Sequence, residues 1–147
     1  MTAVASPLSG RVVPLDEVAD PVFAGRVMGD GVAVIPDDGA VLAPVAGTIE
    51  KLFPGGHAIA LQTASGVQVL VHVGLDTVHL HGEGFAVHTA EGDRVEAGAL
   101  LVTLDLDRLR AIGVDLTSPV VVISGEPLDV VAAGTVRAGD PLLQVAD

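Results

Sequence analysis

The chain contains no cysteine, tryptophan or tyrosine, and its only lysine is Lys51. The lack of cysteine excludes a disulfide framework, a thiolate zinc site and a thiol nucleophile. No run approaches the roughly 20 apolar residues that a membrane-spanning helix needs. The first ten residues, MTAVASPLSG, also lack the basic and hydrophobic regions of a signal peptide. We therefore expect a protein that stays in the cytoplasm.

Positive charge is also scarce. Seven lysine and arginine residues stand against 19 aspartate and glutamate residues, which gives a formal net charge of −12. Such a charge repels nucleic-acid phosphates and anionic lipids, so we expect neither nucleic-acid binding nor direct insertion into a membrane. An acidic surface suits a basic protein partner instead.

Valine, glycine and proline are abundant, and they alternate in short blocks. Valine favours strands, whereas glycine and proline favour turns. Short apolar runs closed by Gly, Pro or Asp predict an all-β protein, an antiparallel sandwich or barrel. The length of 147 residues suits one domain, expected over 7–147 after a flexible tail at 1–6. The runs expected to form strands are 10–13, 32–36, 41–52, 57–63, 66–74, 99–106, 119–124 and 141–145.

One or two short surface helices are expected among the strands. One candidate is 15–25, which Pro21 interrupts, and the other is 105–113, which ends at a glycine. A weak internal echo links Val95-Glu96-Ala97-Gly98 to Val136-Arg137-Ala138-Gly139, each of which leads into an apolar run. Reuse of a common turn and internal duplication of the domain both explain this echo.

The segment 66–77 contains the most informative strand. Because side chains alternate across a strand, its valines fall on one face, while Gln68, Leu70 and His72 fall on the other. A two-residue turn at Ala64-Ser65 would place His57 directly opposite His72. A slip of one residue, such as a bulge at Gly66, would send the two histidines to opposite faces.

Two neighbouring imidazoles can act as nucleophile, acid, base or metal ligand near neutral pH. One ring nitrogen can accept a phosphoryl group while the second ring donates a hydrogen bond to its oxygens. Apolar surroundings would exclude water and slow hydrolysis of the phosphohistidine.

A family resemblance narrows these options. Residues 69–78 and 82–85 resemble the phosphohistidine signature of the glucose-type IIA components of the bacterial phosphoenolpyruvate-dependent sugar phosphotransferase system. The resemblance implies a β-sandwich with internal duplication, and a monomeric phosphotransferase component that requires no cofactor. Further segments follow in the order that this family uses, so the resemblance spans nearly the whole chain: 6–10, 20–25, 29–34, 43–49, 91–98 and 117–122.

The same resemblance implies roles for individual residues. His72 would take the phosphoryl group on Nε2 from the phosphocarrier protein HPr, and His57 would support its transfer to the EIIB domain of a sugar permease (EIIB/EIIC). Asp20 and Asp76 would meet arginines of HPr. An apolar docking surface is implied at Val22, Phe23, Met28, Phe53 and Leu70.

The chain departs from the family at one position. The family often has threonine two residues before the second histidine, where this chain has Gly55. A backbone carbonyl or a water molecule is therefore expected to orient His57. The sugar and any regulatory targets are not specified by these residues.

Two alternatives belong to other functional classes. A zinc-dependent hydrolase would use His72, Asp76, His79 and His81. The two motifs are almost adjacent, however, and we expect His79, His81 and His88 to be exposed. A narrower expectation is a zinc site on His57 and His72 that a partner's carboxylate completes.

The second alternative is a biotin- or lipoyl-type carrier modified on Lys51. Such carriers are about half as long and place the lysine at a hairpin tip. Lys51 is instead expected within a strand.

Overall fold

The computed structural model describes residues 1–147 and consists mainly of short strands. There are 14 strands, two short α-helices and three 3-10 turns. The first seven strands are β1 (Thr2–Ala5), β2 (Gly10–Pro14), β3 (Asp30–Pro36), β4 (Ala40–Leu42), β5 (Gly47–Leu52), β6 (Ala58–Gln62) and β7 (Gln68–His72). The others are β8 (Phe85–Val87), β9 (Arg94–Val95), β10 (Leu100–Leu104), β11 (Ser118–Val122), β12 (Leu128–Val130), β13 (Thr135–Val136) and β14 (Pro141–Val145).

The strands form three antiparallel sheets around one main core. The largest sheet has the order β13-β2-β3-β11-β7-β6-β5-β9, and two smaller sheets have the orders β1-β14-β12 and β4-β10-β8. A core of 25 buried residues draws on all three sheets, through Val34, Val4 and Leu101 for example. The expected all-β antiparallel sandwich is therefore confirmed.

The fold contains two copies of one unit, which confirms the internal duplication. The order of the large sheet reads alike from both ends, with β13 and β2 corresponding to β9 and β5. Gly10 pairs with Val136 in one copy, and Gly47 pairs with Val95 in the other. Both glycines close an x-Pro-x-x-Gly segment, 6–10 and 43–47, and carry no side chain because the backbone passes close by. A Cβ at Gly10 would lie 1.9 Å from the Ile35 oxygen, and one at Gly47 would lie 2.2 Å from the Gln62 oxygen.

The expectation of a flexible tail at residues 1–6 is wrong. Thr2–Ala5 is strand β1, which pairs with β14. Val4 and Ser6 are fully buried, and the Ser6 hydroxyl donates to the Leu8 carbonyl. The strand is ordered because Val4 adds to the main core while its backbone completes the β14 ladder.

Two helices lie in the expected segments. The 15–25 segment divides at Pro21 into a 3-10 turn, Leu15–Glu17, and helix α1, Pro21–Ala24. Helix α2, Leu106–Ile112, begins after Asp105, whose carboxylate accepts from the Arg108 N–H. It ends at Gly113 with φ of 90°, a conformation that favours glycine. None of the helices has the length and apolar character needed to cross a membrane.

Candidate functional site

The two faces of β7 differ in what they contact. Val69 and Val71 belong to the main core, whereas Leu70 belongs to a second cluster of ten buried residues on the other face of the sheet. His72 is at the end of the strand, on the same face as Leu70, and is partly buried. The alternation expected for this strand is confirmed.

His57 reaches His72 by a route other than the expected one. The turn at Ala64-Ser65 includes Gly66, which has φ of +94°, and Ala58 rather than His57 pairs with His72. The expected direct pairing is therefore wrong. His57 precedes β6 and has helical angles, φ −72° and ψ −20°, so its side chain does not follow the strand alternation. The two rings consequently meet, with centroids 5.4 Å apart and planes inclined at 74°.

Each histidine places its Nδ1 against a backbone carbonyl. Nδ1 of His72 is 2.7 Å from the Gly74 oxygen, and Nδ1 of His57 is 3.1 Å from the Pro54 oxygen. A carbonyl oxygen can only accept, so Nδ1 carries the proton in both rings. In the neutral rings the lone pair therefore lies on Nε2, the nitrogen not bonded to the protein.

His72 is kept neutral by its environment. Burial lowers the pKa of His72, and the neighbouring His57 lowers it further by charge repulsion. The hydrogen bond to the Gly74 carbonyl and the carboxylates of Asp20 and Asp76 act in the opposite direction without reversing the shift. At neutral pH the Nε2 of His72 thus has a free lone pair, as a nucleophile requires.

Two phenylalanines form the apolar surroundings of the histidines. The Phe23 ring is 5.1 Å from the His72 ring, and the Phe53 ring is 5.8 Å from the His57 ring. Phe23 is only 6% exposed, and Leu70 only 4%. These two residues, expected on the apolar docking surface, are therefore buried beneath it, and Phe23 packs against the His72 ring.

Other apolar side chains are available for contact with a partner. Val22 and Met28, both expected there, are each 42% exposed, and Phe53 is half-buried. Val27 and Val78 are also exposed, although the sequence did not single them out. Their signal was present, since Val27 adjoins Met28 and Val78 ends the 69–78 signature.

The two expected acidic residues are held in different ways. Asp20 caps α1, and its carboxylate accepts from the Val22 N–H at 2.9 Å. Asp76 is exposed, adopts a left-handed conformation with φ of 58°, and makes no capping bond with its side chain. Its charge is therefore free for a partner.

The Pro54 carbonyl orients His57 in a loop with no room for a side chain at Gly55. Gly55 has φ of +86°, and a Cβ there would lie 2.7 Å from the Gly82 nitrogen. Gly82 belongs to the 82–85 segment of the signature, so the two glycines pack backbone against backbone. A backbone carbonyl thus takes the place of the threonine hydroxyl, one of the two arrangements expected.

The residues of the alternative functions do not assemble into sites. No three His, Asp or Glu side chains are grouped so that they could hold a metal ion. His79, His81 and His88 are exposed. The expected zinc site on His57 and His72 would therefore need its remaining ligands from outside this chain.

Lys51 lies within a strand and not at a hairpin tip. It is part of β5, opposite Ala60. Its ammonium group is 3.7 Å from Glu91 and 5.8 Å from the centre of the Phe53 ring. The structure does not support a biotin- or lipoyl-type carrier.

Comparison with known proteins identifies the family of the chain. Residues 2–128 match the family model described as "phosphoenolpyruvate-dependent sugar phosphotransferase system, EIIA 1". The chain belongs to this EIIA family. Proteins of this family are phosphotransfer components of sugar transport, so the membership supports a phosphoryl-carrier role.

Relatives with glucose-specific names match over most of the chain. The chain is 43% identical to a "PTS system glucose-specific EIIA component" of Halalkalibacterium halodurans over 94% of its length and 82% of the relative. It is 50% identical to a "PTS system glucose-specific EIICBA component" of Streptococcus pneumoniae, over 85% of its length but only 17% of that longer protein. Among solved structures, glucose permease IIA from Mycoplasma capricolum superposes with a TM-score of 0.91 at 40% identity, covering 97% of this chain and 94% of that one.

Proposed function

We propose that this EIIA chain accepts a phosphoryl group from phospho-HPr on Nε2 of His72 and passes it to the EIIB domain of a sugar permease. The observation that carries the proposal is the orientation of His72, whose Nδ1 donates to Gly74 and whose Nε2 therefore holds a lone pair. As the Nε2–phosphorus bond forms, the nitrogen–phosphorus bond of the donor breaks. In transfer to EIIB the Nε2–phosphorus bond breaks as a nucleophile of EIIB forms its own bond to phosphorus.

His57 stabilises charge during onward transfer to EIIB in this mechanism. Its ring is 5.4 Å from that of His72 by centroids, close enough to interact with phosphoryl oxygens on the neighbouring Nε2. Protonation of its Nε2 would provide a donor to those oxygens, while Pro54 holds its Nδ1. Phosphoryl transfer depends mainly on such positioning and charge stabilisation.

The surface around the histidines suits a transient protein partner. Val22, Met28 and Val78 are exposed apolar side chains, and the Asp76 carboxylate is free. We propose that HPr and EIIB use this surface in turn, with basic groups of HPr attracted to Asp20 and Asp76. A relay of this kind operates in the cytoplasm beside the permease, and the names of the relatives favour glucose as the sugar.

The test is transfer of labelled phosphoryl from phosphoenolpyruvate through enzyme I and HPr. Wild type should acquire label that is acid-labile and base-stable, His72→Ala should acquire none, and His88→Ala should behave as wild type. His88 is a matched control because it is exposed and its ring bonds only to Thr103. Label on His72→Ala, or none on wild type, would contradict the proposal.

A further inference from the structure

Gly74 provides the carbonyl that orients His72, so the position of this carbonyl determines which ring nitrogen is free. Gly74 has φ of +73°, a conformation that L side chains rarely adopt. Its surroundings are crowded, since an added Cβ would lie 2.6 Å from Cγ2 of Thr77 and 2.9 Å from the Asp115 oxygen. Both the positive φ and the close neighbours therefore require glycine at this position.

The peptide unit before Gly74 is held by two buried hydroxyls. The Gly74 N–H donates to Oγ of Ser118 at 3.0 Å, and the Val73 carbonyl accepts from Oγ1 of Thr77 at 2.6 Å. Ser118 is fully buried and Thr77 is 1% exposed. The Ser118 hydroxyl donates its proton to the Leu116 carbonyl at 2.7 Å. Its lone pairs therefore remain to accept from the Gly74 N–H.

The peptide unit after Gly74 is held by backbone alone. The Leu75 N–H donates to the Asp115 carbonyl at 2.8 Å, on the segment that leads into Ser118. The oxygen of the same peptide unit accepts from Nδ1 of His72. Both peptide planes that flank Gly74 are thus fixed by the chain around the start of β11, and by Thr77.

We infer that Ser118 is a positioning residue for phosphoryl transfer. Its hydroxyl holds the Gly74 N–H and so limits the backbone rotation at Gly74 that would turn the Gly74 carbonyl away from His72. The carbonyl in turn keeps the proton on Nδ1 of His72 and the lone pair on Nε2. Ser118 does not touch the phosphoryl group in this arrangement and acts only through Gly74. Thr77 assists it from the other side of the same peptide unit. The expected effect of Ser118 on phosphoryl transfer rests on the proposed function. Its expected effect on the His72 tautomer does not depend on that function.

The experiment compares Ser118→Ala with Ser124→Ala. Ser124 is a matched control because its hydroxyl accepts from the Gln68 N–H at 2.8 Å, at the opposite end of the β7–β11 strand pair. The first readout is the pair of 15N chemical shifts of the His72 ring, which report the tautomer without any transfer reaction. The second is the rate of phosphoryl acceptance from phospho-HPr.

Wild type and Ser124→Ala should have the Nδ1–H tautomer of His72. Ser118→Ala should lose much of this tautomer and accept the phosphoryl group roughly tenfold more slowly, the size expected when one orienting hydrogen bond is lost. Ser118→Thr retains a hydroxyl and should restore the tautomer. An unchanged tautomer in Ser118→Ala would overturn the inference, even if the variant were less stable.

A third variant keeps the test valid if Ser118→Ala does not fold. Thr77→Val removes the other hydroxyl at nearly constant volume, and it should shift the His72 tautomer in the same direction. A wild-type tautomer in Thr77→Val would then overturn the inference. If wild type has the Nδ1–H tautomer but takes no phosphoryl group, the proposed function fails while the positioning role stands.

Discussion

The two copies of the duplicated unit have the same framework but differ in chemistry. In one copy the sequence Gly29-Asp30-Gly31-Val32-Ala33-Val34 enters β3, and in the other Gly56-His57-Ala58-Ile59-Ala60-Leu61 enters β6. Val32 and Ile59 both join the main core, while Ala33 and Ala60 both join the second cluster. By this alignment His57 corresponds to Asp30.

The same correspondence applies to the other histidine. The central strands β7 and β11 are neighbours in the large sheet, and their core valines Val71 and Val120 pair directly. With these two aligned, His72 corresponds to Val121, which lies in the second cluster with Leu70. The framework forms without histidine in one copy, so the histidines of the other are not needed for folding.

The largest effect should come from giving His72 the residue of the other copy. His72→Val should abolish phosphoryl acceptance, because no lone pair remains at this position. The free energy of unfolding should stay within about 1 kcal/mol of wild type, since valine suits the end of a strand. Labelling and denaturant unfolding would measure both quantities. A folded variant that still accepts label would show that His72 is not the acceptor.

His57→Gln should separate the two directions of transfer. It should accept the phosphoryl group from phospho-HPr but pass it to EIIB about a hundredfold more slowly, the size of a lost acid–base or charge-stabilising group. Single-turnover transfer in each direction would measure the two rates. Equal losses in both directions would contradict a specific role for His57 in onward transfer.

Gly10→Ala and Gly47→Ala should destabilise the two copies alike. Each new methyl group would meet a backbone oxygen, at 1.9 Å and 2.2 Å, respectively. We expect each to lower the free energy of unfolding by about 2–4 kcal/mol, in the upper range for single substitutions. Gly92→Ala provides a comparison in which no atom lies within 4 Å of the added Cβ, so that its cost comes only from the strain of alanine at φ of 89°. A large loss for only one of the two glycines would break the proposed equivalence of the copies.

The pH dependence should differ from that of an ordinary histidine. Burial lowers the pKa of His72 below its usual value of 6.5, so the neutral ring persists to lower pH. The rate of phosphoryl acceptance should therefore hold as pH falls through 6.5 and decline only at the lowered pKa. Below pH 6.5 the His72 ring binds a proton more readily in the unfolded chain than in the folded one. The free energy of unfolding should therefore decrease as pH falls from 6.5 towards the lowered pKa. A titration of the His72 ring by NMR that gave a pKa above 6.5 would contradict this account.

The smallest effect should come from Asp76, which corresponds to Gly125 of the other copy. Both residues have positive φ, 58° and 91°, but only Asp76 incurs a steric cost. Asp76→Gly should raise the free energy of unfolding by about 0.5 kcal/mol and slow transfer from phospho-HPr a few-fold. Asp76→Asn should slow transfer by the same factor as Asp76→Gly. For both variants the loss of rate relative to wild type should be smaller at high salt. Equal transfer rates in all three proteins would exclude a role for the charge.

Local pattern predicted the central strands of the framework but not all of its strands. Alternating valines placed Val69 and Val71 in the core, and Gly113 marked the end of α2. The pattern did not predict β1, because Thr2–Ala5 is ordered by pairing with a strand more than 130 residues away, as the pair Thr2–Val145 shows. Pairing between distant segments leaves no local signal.

The sequence predicted that His57 and His72 lie together, but not the geometry that brings them together. The 69–78 signature identified His72, yet the turn at Ala64–Gly66 shifted the pairing by one residue. His57 nevertheless lies beside His72 because it precedes the strand and has helical angles. The alternation of side chains in a strand does not apply to it. The supports at Ser118 and Thr77 are buried hydroxyls, and a sequence does not distinguish them from other serines and threonines.

The most direct test of the account is to locate the phosphoryl group on the intact protein. Protein labelled with 15N in its histidines would be phosphorylated through enzyme I and HPr and examined by 31P and 15N NMR. We predict phosphorus bonded to Nε2 of His72, with the proton retained on Nδ1 and donated in a hydrogen bond to the Gly74 carbonyl. Phosphorus on Nδ1 of His72, or on His57, would contradict the account.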